Sequence, residues 1–210
     1  MTHHKQHDFE STVERMPPTL YEAKALGAPF KVFLSDGVTF ETDPDTGREV
    51  TNIADLSGLI AAVVRSRVLH SRKLCGEDLK FIRSALCMKS NEIAENLELT
   101  PEHYSRCEAG TKTMSVSTEK QHRIFVFFSM LTRDKNLQRP KVRNVEDMKI
   151  SEKDAFRVTK AVFRIFLDMK IDPVYEAGEE LSFTFCRKCR AQPAPEGDDD
   201  EWGVPLEMVA

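Results

Sequence analysis

Apolar and polar positions change period several times along the chain, and each change marks an element. Lys31-Val32-Phe33-Leu34 and Val38-Thr39-Phe40-Glu41-Thr42 predict two strands. Ser35-Asp36-Gly37 between them offers a positive-φ corner, so a tight hairpin joining the two is expected. A second turn at Asp43-Pro44-Asp45-Thr46-Gly47 leads to a third strand at Arg48-Glu49-Val50-Thr51. From Ile53 to Val64 the apolar residues fall at helical spacing, and a connector helix is predicted there.

The centre reads as short helices. Leu79, Ile82 and Leu86 share one face of a helix beginning at Gly76. Ser90 is the expected N-cap of a helix through Leu97, and Thr100 that of a helix from Pro101 to Glu108. Proline at the first helical position and the Ala109-Gly110 stop fit those bounds. Ser117 is expected to cap a longer helix containing Ile124, Phe125, Phe127, Phe128 and Leu131. Beyond the linker Gln138-Arg139-Pro140, an amphipathic helix is predicted over 151–169. A strand follows at Leu181-Ser182-Phe183-Thr184-Phe185. The chain therefore divides into a flexible arm (1–19), a β-rich N-terminal domain with its connector helix (20–70), a helical domain (71–133), a C-terminal helical extension (134–189) and an acidic disordered tail (190–210).

Charge changes the picture only when it is located. The net formal charge is −4 over 210 residues, unfavourable for a nucleic-acid binder. Residues 71–150, however, hold 15 Lys/Arg against 11 Asp/Glu, while residues 191–210 hold six acidic residues and no basic one. The middle is mildly basic and the acidic balance belongs largely to the tail. No apolar run approaches the roughly 18–20 residues of a membrane span. The start of the chain lacks the apolar core of a secretory signal, so a cytoplasmic location is expected.

The candidate chemistry lies in 90–110. Two short helices there meet across a tight turn, with Ala94 small at the crossing and Ile93, Leu97, Leu99 and Tyr104 in the core. That arrangement turns Pro101, Glu102, His103, Ser105 and Arg106 outward, towards a DNA major groove. Arg106 can donate two hydrogen bonds to guanine, and Glu102 can accept one from cytosine. Asn91, Ser90, Thr100, Lys89, Lys112, Arg72 and Lys73 are the expected phosphate contacts, helped by the positive ends of two helices.

These residues resemble a Cro/repressor-type (XRE) helix-turn-helix. Residues 20–131 further resemble the MqsA family of antitoxin-like regulators, which joins a YgiT-type zinc finger to such a unit. The resemblance implies an α+β fold: a small N-terminal β-hairpin domain, a mainly α-helical Cro/repressor-like domain and a C-terminal helix-plus-strand extension. It also implies base contact from Glu102 and Arg106 and a homodimer on an inverted-repeat DNA operator, acting as a repressor of its own operon. A toxin or another regulatory protein is the alternative partner. The family's two CxxC pairs are missing, and Asp43-Pro44-Asp45-Thr46 stands where the second would be. A zinc-free N-terminal domain held by its apolar core is therefore expected.

Other motifs carry less. Cys186-Arg187-Lys188-Cys189 is half a zinc knuckle with no second pair, and Cys186 and Cys189 are expected to be free thiols. His3, His4 and His7 read as part of a polar arm, and Asp198-Asp199-Asp200-Glu201 as a solvated run. The Phe125/Phe127/Phe128 and Phe156/Phe163/Phe166 clusters read as core or dimer interface. No P-loop, GxGxxG or nucleophile constellation is present, so no enzyme activity, metal or cofactor is expected.

Overall fold

The computed structural model describes residues 20–131, 152–172, 180–187 and 202. The fold is α+β. Strand β1 (Tyr21–Glu22) runs antiparallel to β2 (Lys31–Leu34), which pairs in parallel with β5 (Ser182–Phe185) in the register Lys31↔Ser182 to Leu34↔Phe185. Strands β3 (Val38–Thr42) and β4 (Glu49–Ile53) form a separate antiparallel pair. Six α-helices occur among the described residues: α1 (Leu56–Leu69), α2 (Gly76–Ala85), α3 (Ser90–Asn96), α4 (Pro101–Glu108), α5 (Val116–Leu131) and α6 (Glu152–Asp168).

The expected hairpin between β2 and β3 does not form, although both strands do. Both edges of β2 are already taken, by β1 on one side and β5 on the other. Gly37, at φ +72°, instead carries the chain from one sheet into the next, and Ser35 N–H donates to the Phe185 carbonyl at 3.0 Å. The hairpin that forms is β3–β4, closed by Asp43. Its carboxylate accepts from Asp45 N at 2.9 Å and from the Thr46 hydroxyl at 2.7 Å, and these bonds lower its pKa. The polar residues of the turn Asp43–Thr46 thus bond to one another.

The sheet meets the helices through aromatic rings. Phe30 makes edge contacts with Phe183 at 5.3 Å and with Phe81 of α2 at 5.9 Å. Helix α1 is surrounded: Leu59, Ala61, Ala62, Val63, Val64 and Val68 are all buried, as befits a helix apolar on most sides. At its start, Asp55 adopts a left-handed conformation and caps Gly58 N–H at 3.0 Å.

The C-terminal segments fold back onto this body. Asp172 accepts from the Ser71 hydroxyl at 2.7 Å, and β5 completes the N-terminal sheet. Trp202 lies within the span expected to be a disordered tail, yet it is buried. Its indole N–H is shared between the carbonyls of Ala54 and Asp55, both at 3.1 Å, and the Arg187 guanidinium stands 5.7 Å above its ring. A buried indole with a satisfied donor is an anchor, not a solvated residue. The arm at 1–19, the linker at 138–140, Cys189 and the acidic run 198–201 lie outside the described residues. No described helix is long and apolar enough to cross a membrane.

Candidate nucleic-acid interface

Helices α3 and α4 are joined by four residues, 97–100. The turn is tight because Glu98 adopts φ +54°, which lets Leu99 N–H reach the Ala94 carbonyl at 2.9 Å. A non-glycine residue in this region is held there by its surroundings. Thr100 then accepts from His103 N–H at 3.2 Å, and Pro101 opens α4 with its φ already set. At the other end Thr111 N–H and Lys112 N–H close on the Arg106 carbonyl at 3.0 and 3.2 Å.

Two expected caps are displaced. Ser90 is the first residue of α3 and Lys89 its N-cap, because the Glu92 carboxylate takes Lys89 N–H at 2.7 Å. Helix α5 begins at Val116 and is capped by Ser115, whose hydroxyl accepts from Thr118 N–H at 3.1 Å, rather than by Ser117.

One side of α4 is locked. Tyr104 and Cys107 are buried, and Glu108 accepts from Arg83 Nε at 2.6 Å. A methyl group on Gly76 would lie 2.4 Å from the Glu108 carbonyl oxygen, so α2 and α4 touch backbone to backbone. Tyr104 faces His122 of α5, ring centroids 6.2 Å apart. Burial raises the Tyr104 phenol pKa and lowers that of His122 to about 4, leaving the imidazole neutral. Neither His122 nitrogen nor the Tyr104 hydroxyl has a hydrogen-bond partner among the described residues.

The other side of α4 is open. Pro101, Glu102, Ser105 and Arg106 are exposed and His103 is half-buried. Lys89, Asn91, Thr100 and Lys112 are exposed around them. The remaining expected phosphate contacts are placed differently. Lys73 donates to the Met114 carbonyl at 3.0 Å and to Glu119 at 3.1 Å, inside the fold. Arg72 is half-buried, and its carbonyl receives the Arg67 and Arg123 guanidinium groups at 3.0 and 2.7 Å. The Ser90 hydroxyl oxygen is buried. These three do not stand with the exposed set.

What the sequence reading missed is the charged clasp behind this surface. Arg67 binds Asp78 with two hydrogen bonds of 2.9 and 2.6 Å, and Asp78 also caps Cys75 N–H at 2.8 Å. Arg123 binds Glu119 at 2.7 Å and gathers the carbonyls of Val68, His70 and Arg72. Glu119 in turn accepts from Leu74 N–H at 2.9 Å. Two buried ion pairs therefore grip segment 68–75 between α1 and α2, satisfying backbone groups that would otherwise be orphaned. The available signals were an arginine in an otherwise apolar helix and the Glu119/Arg123 spacing.

Cys186 is buried and disulfide-bonded, not the free thiol expected. Among the described residues no three His, Cys, Asp or Glu side chains gather as a metal site. No protein-family model, curated protein or solved structure matches the chain.

Proposed function

We propose that α3 and α4 form a Cro/repressor-type helix-turn-helix and that the chain binds double-stranded DNA with the outer edge of α4. One observation carries the reading. Tyr104, Cys107 and Glu108 fasten one side of α4 to the body, while Glu102, Ser105 and Arg106 stand free on the other. A reading helix needs both, since base discrimination requires side chains held in a fixed frame. Arg106 reads guanine, and Glu102 and Ser105 address neighbouring bases. Lys89, Asn91, Thr100 and Lys112 set the register on the phosphates. In this reading the protein is a homodimer on an inverted repeat, represses its own operon and performs no reaction.

The test is selection of bound duplexes from a random pool, followed by mobility-shift titration. An inverted repeat with half-sites about 34 Å apart supports the reading. Arg106→Ala should lose about 1–3 kcal/mol of discrimination at one position of each half-site. Lys112→Ala should weaken binding to all sequences alike and reduce the salt slope by about one ion. No enrichment of any sequence overturns it.

A further inference from the structure

Exposed apolar side chains occur on two sides of α6: Ile165, 52 % exposed, on one, and on the other Phe156, 68 % exposed, Phe163, 40 %, and Leu167, 59 %. Spaced seven and four residues apart, the latter three form one stripe along the helix. The helix cannot roll to bury it. Phe166 is buried and meets Phe127 at 5.6 Å, while Phe163 leans on Phe128 at 5.6 Å. The Lys120 ammonium also holds the Leu167 carbonyl. Beside the stripe, one turn apart, stand the exposed cations Lys160 and Arg164.

We propose that this face of α6 docks an acidic amphipathic helix of a partner protein, with apolar residues over Phe156, Phe163 and Leu167 and carboxylates over Lys160 and Arg164. The inference is independent of DNA reading by α4. Charge selects the occupant. A second copy laid antiparallel about a two-fold axis would set each basic row against its own image, because an isologous contact meets itself. A parallel copy would need the opposite flank, where Val162 and Phe166 pack towards the body. An anionic bilayer is the other acidic surface that the cations could meet, and vesicle capture is therefore one outcome of the test.

The probe is a labelled synthetic helix of about 18 residues, with leucines on one face and glutamates beside them. It is titrated by fluorescence anisotropy against the full chain, next to the same peptide with lysine in place of glutamate. The acidic peptide should bind about tenfold more tightly, and less so as salt rises. Phe156→Glu should abolish binding. The double variant Lys160→Glu/Arg164→Glu should transfer the preference to the lysine peptide, with the circular-dichroism spectrum unchanged in both variants. Equal affinity for the two peptides overturns the proposal. So does binding that survives both variants, capture of phosphatidylserine vesicles in preference to the peptide, or a self-associated protein that Phe156→Glu dissociates in sedimentation.

Discussion

A buried imidazole with no hydrogen-bond partner among the described residues makes the fold sensitive to acid. His122 stays neutral in the native state, with its pKa lowered to about 4 against an ordinary 6.5. Tyr104 faces it from α4, and Arg123 and Glu119 are its charged neighbours on α5. Between those two pH values the unfolded chain binds a proton that the folded chain refuses. The stability that His122 contributes is therefore complete above pH 6.5 and is lost as pH falls towards 4, by about 3 kcal/mol. Urea titrations at pH 4.5 and 7.5 should show this loss in the wild type and a smaller one in His122→Leu. Glu98 offers the opposite lever. At φ +54° a side chain strains the backbone, so Glu98→Gly should raise stability by about 0.5–1 kcal/mol, measured as a higher melting temperature.

Among elements, the clasp is where a single change should do most damage. Arg67→Met leaves the Asp78 carboxylate buried without its ion partner and should cost about 3–5 kcal/mol, whereas Arg67→Met/Asp78→Leu should recover only part of it, since Cys75 N–H then loses its acceptor. Chemical denaturation of the two variants checks the sign. Helix and strand positions were largely legible, because periodicity and caps are local signals. Pro101 after Thr100 placed α4, and the exposed edge of α4 carries the side chains that the helical pattern turned outward. Pairing was not legible: nothing in residues 31–42 says that β2 prefers a strand near position 182 to the neighbour three residues away. Lys73 stands apart from the exposed set for a related reason. Lys73 is basic and near the turn, but Glu119, forty-odd residues on, decides where its ammonium goes.

At the scale of the whole molecule, the ends of the described chain hold its beginning. Trp202 covers the junction of β4 and α1, and its ring together with Arg187 fills the space a side chain at Gly37 would need. Trp202→Ala should therefore cost about 3 kcal/mol, and it should act on the sheet region first. Hydrogen exchange that quickens around Ala54 and Leu34, while α3 and α4 stay protected, is the expected pattern. A uniform loss of protection would mean that the sheet and the helices open as one unit.

The parallel pairing of β2 with β5 also sets an order of events during synthesis. Lys31 leaves the ribosome long before Ser182 exists, so for some 150 residues of translation one edge of β2 has no strand beside it. An unpaired strand edge invites wrong pairings, and contacts this distant in sequence form late. The helices of residues 56–131 find most of their partners within that span and can settle first. A nascent chain halted before β5 should thus display folded helices beside an open, adhesive sheet.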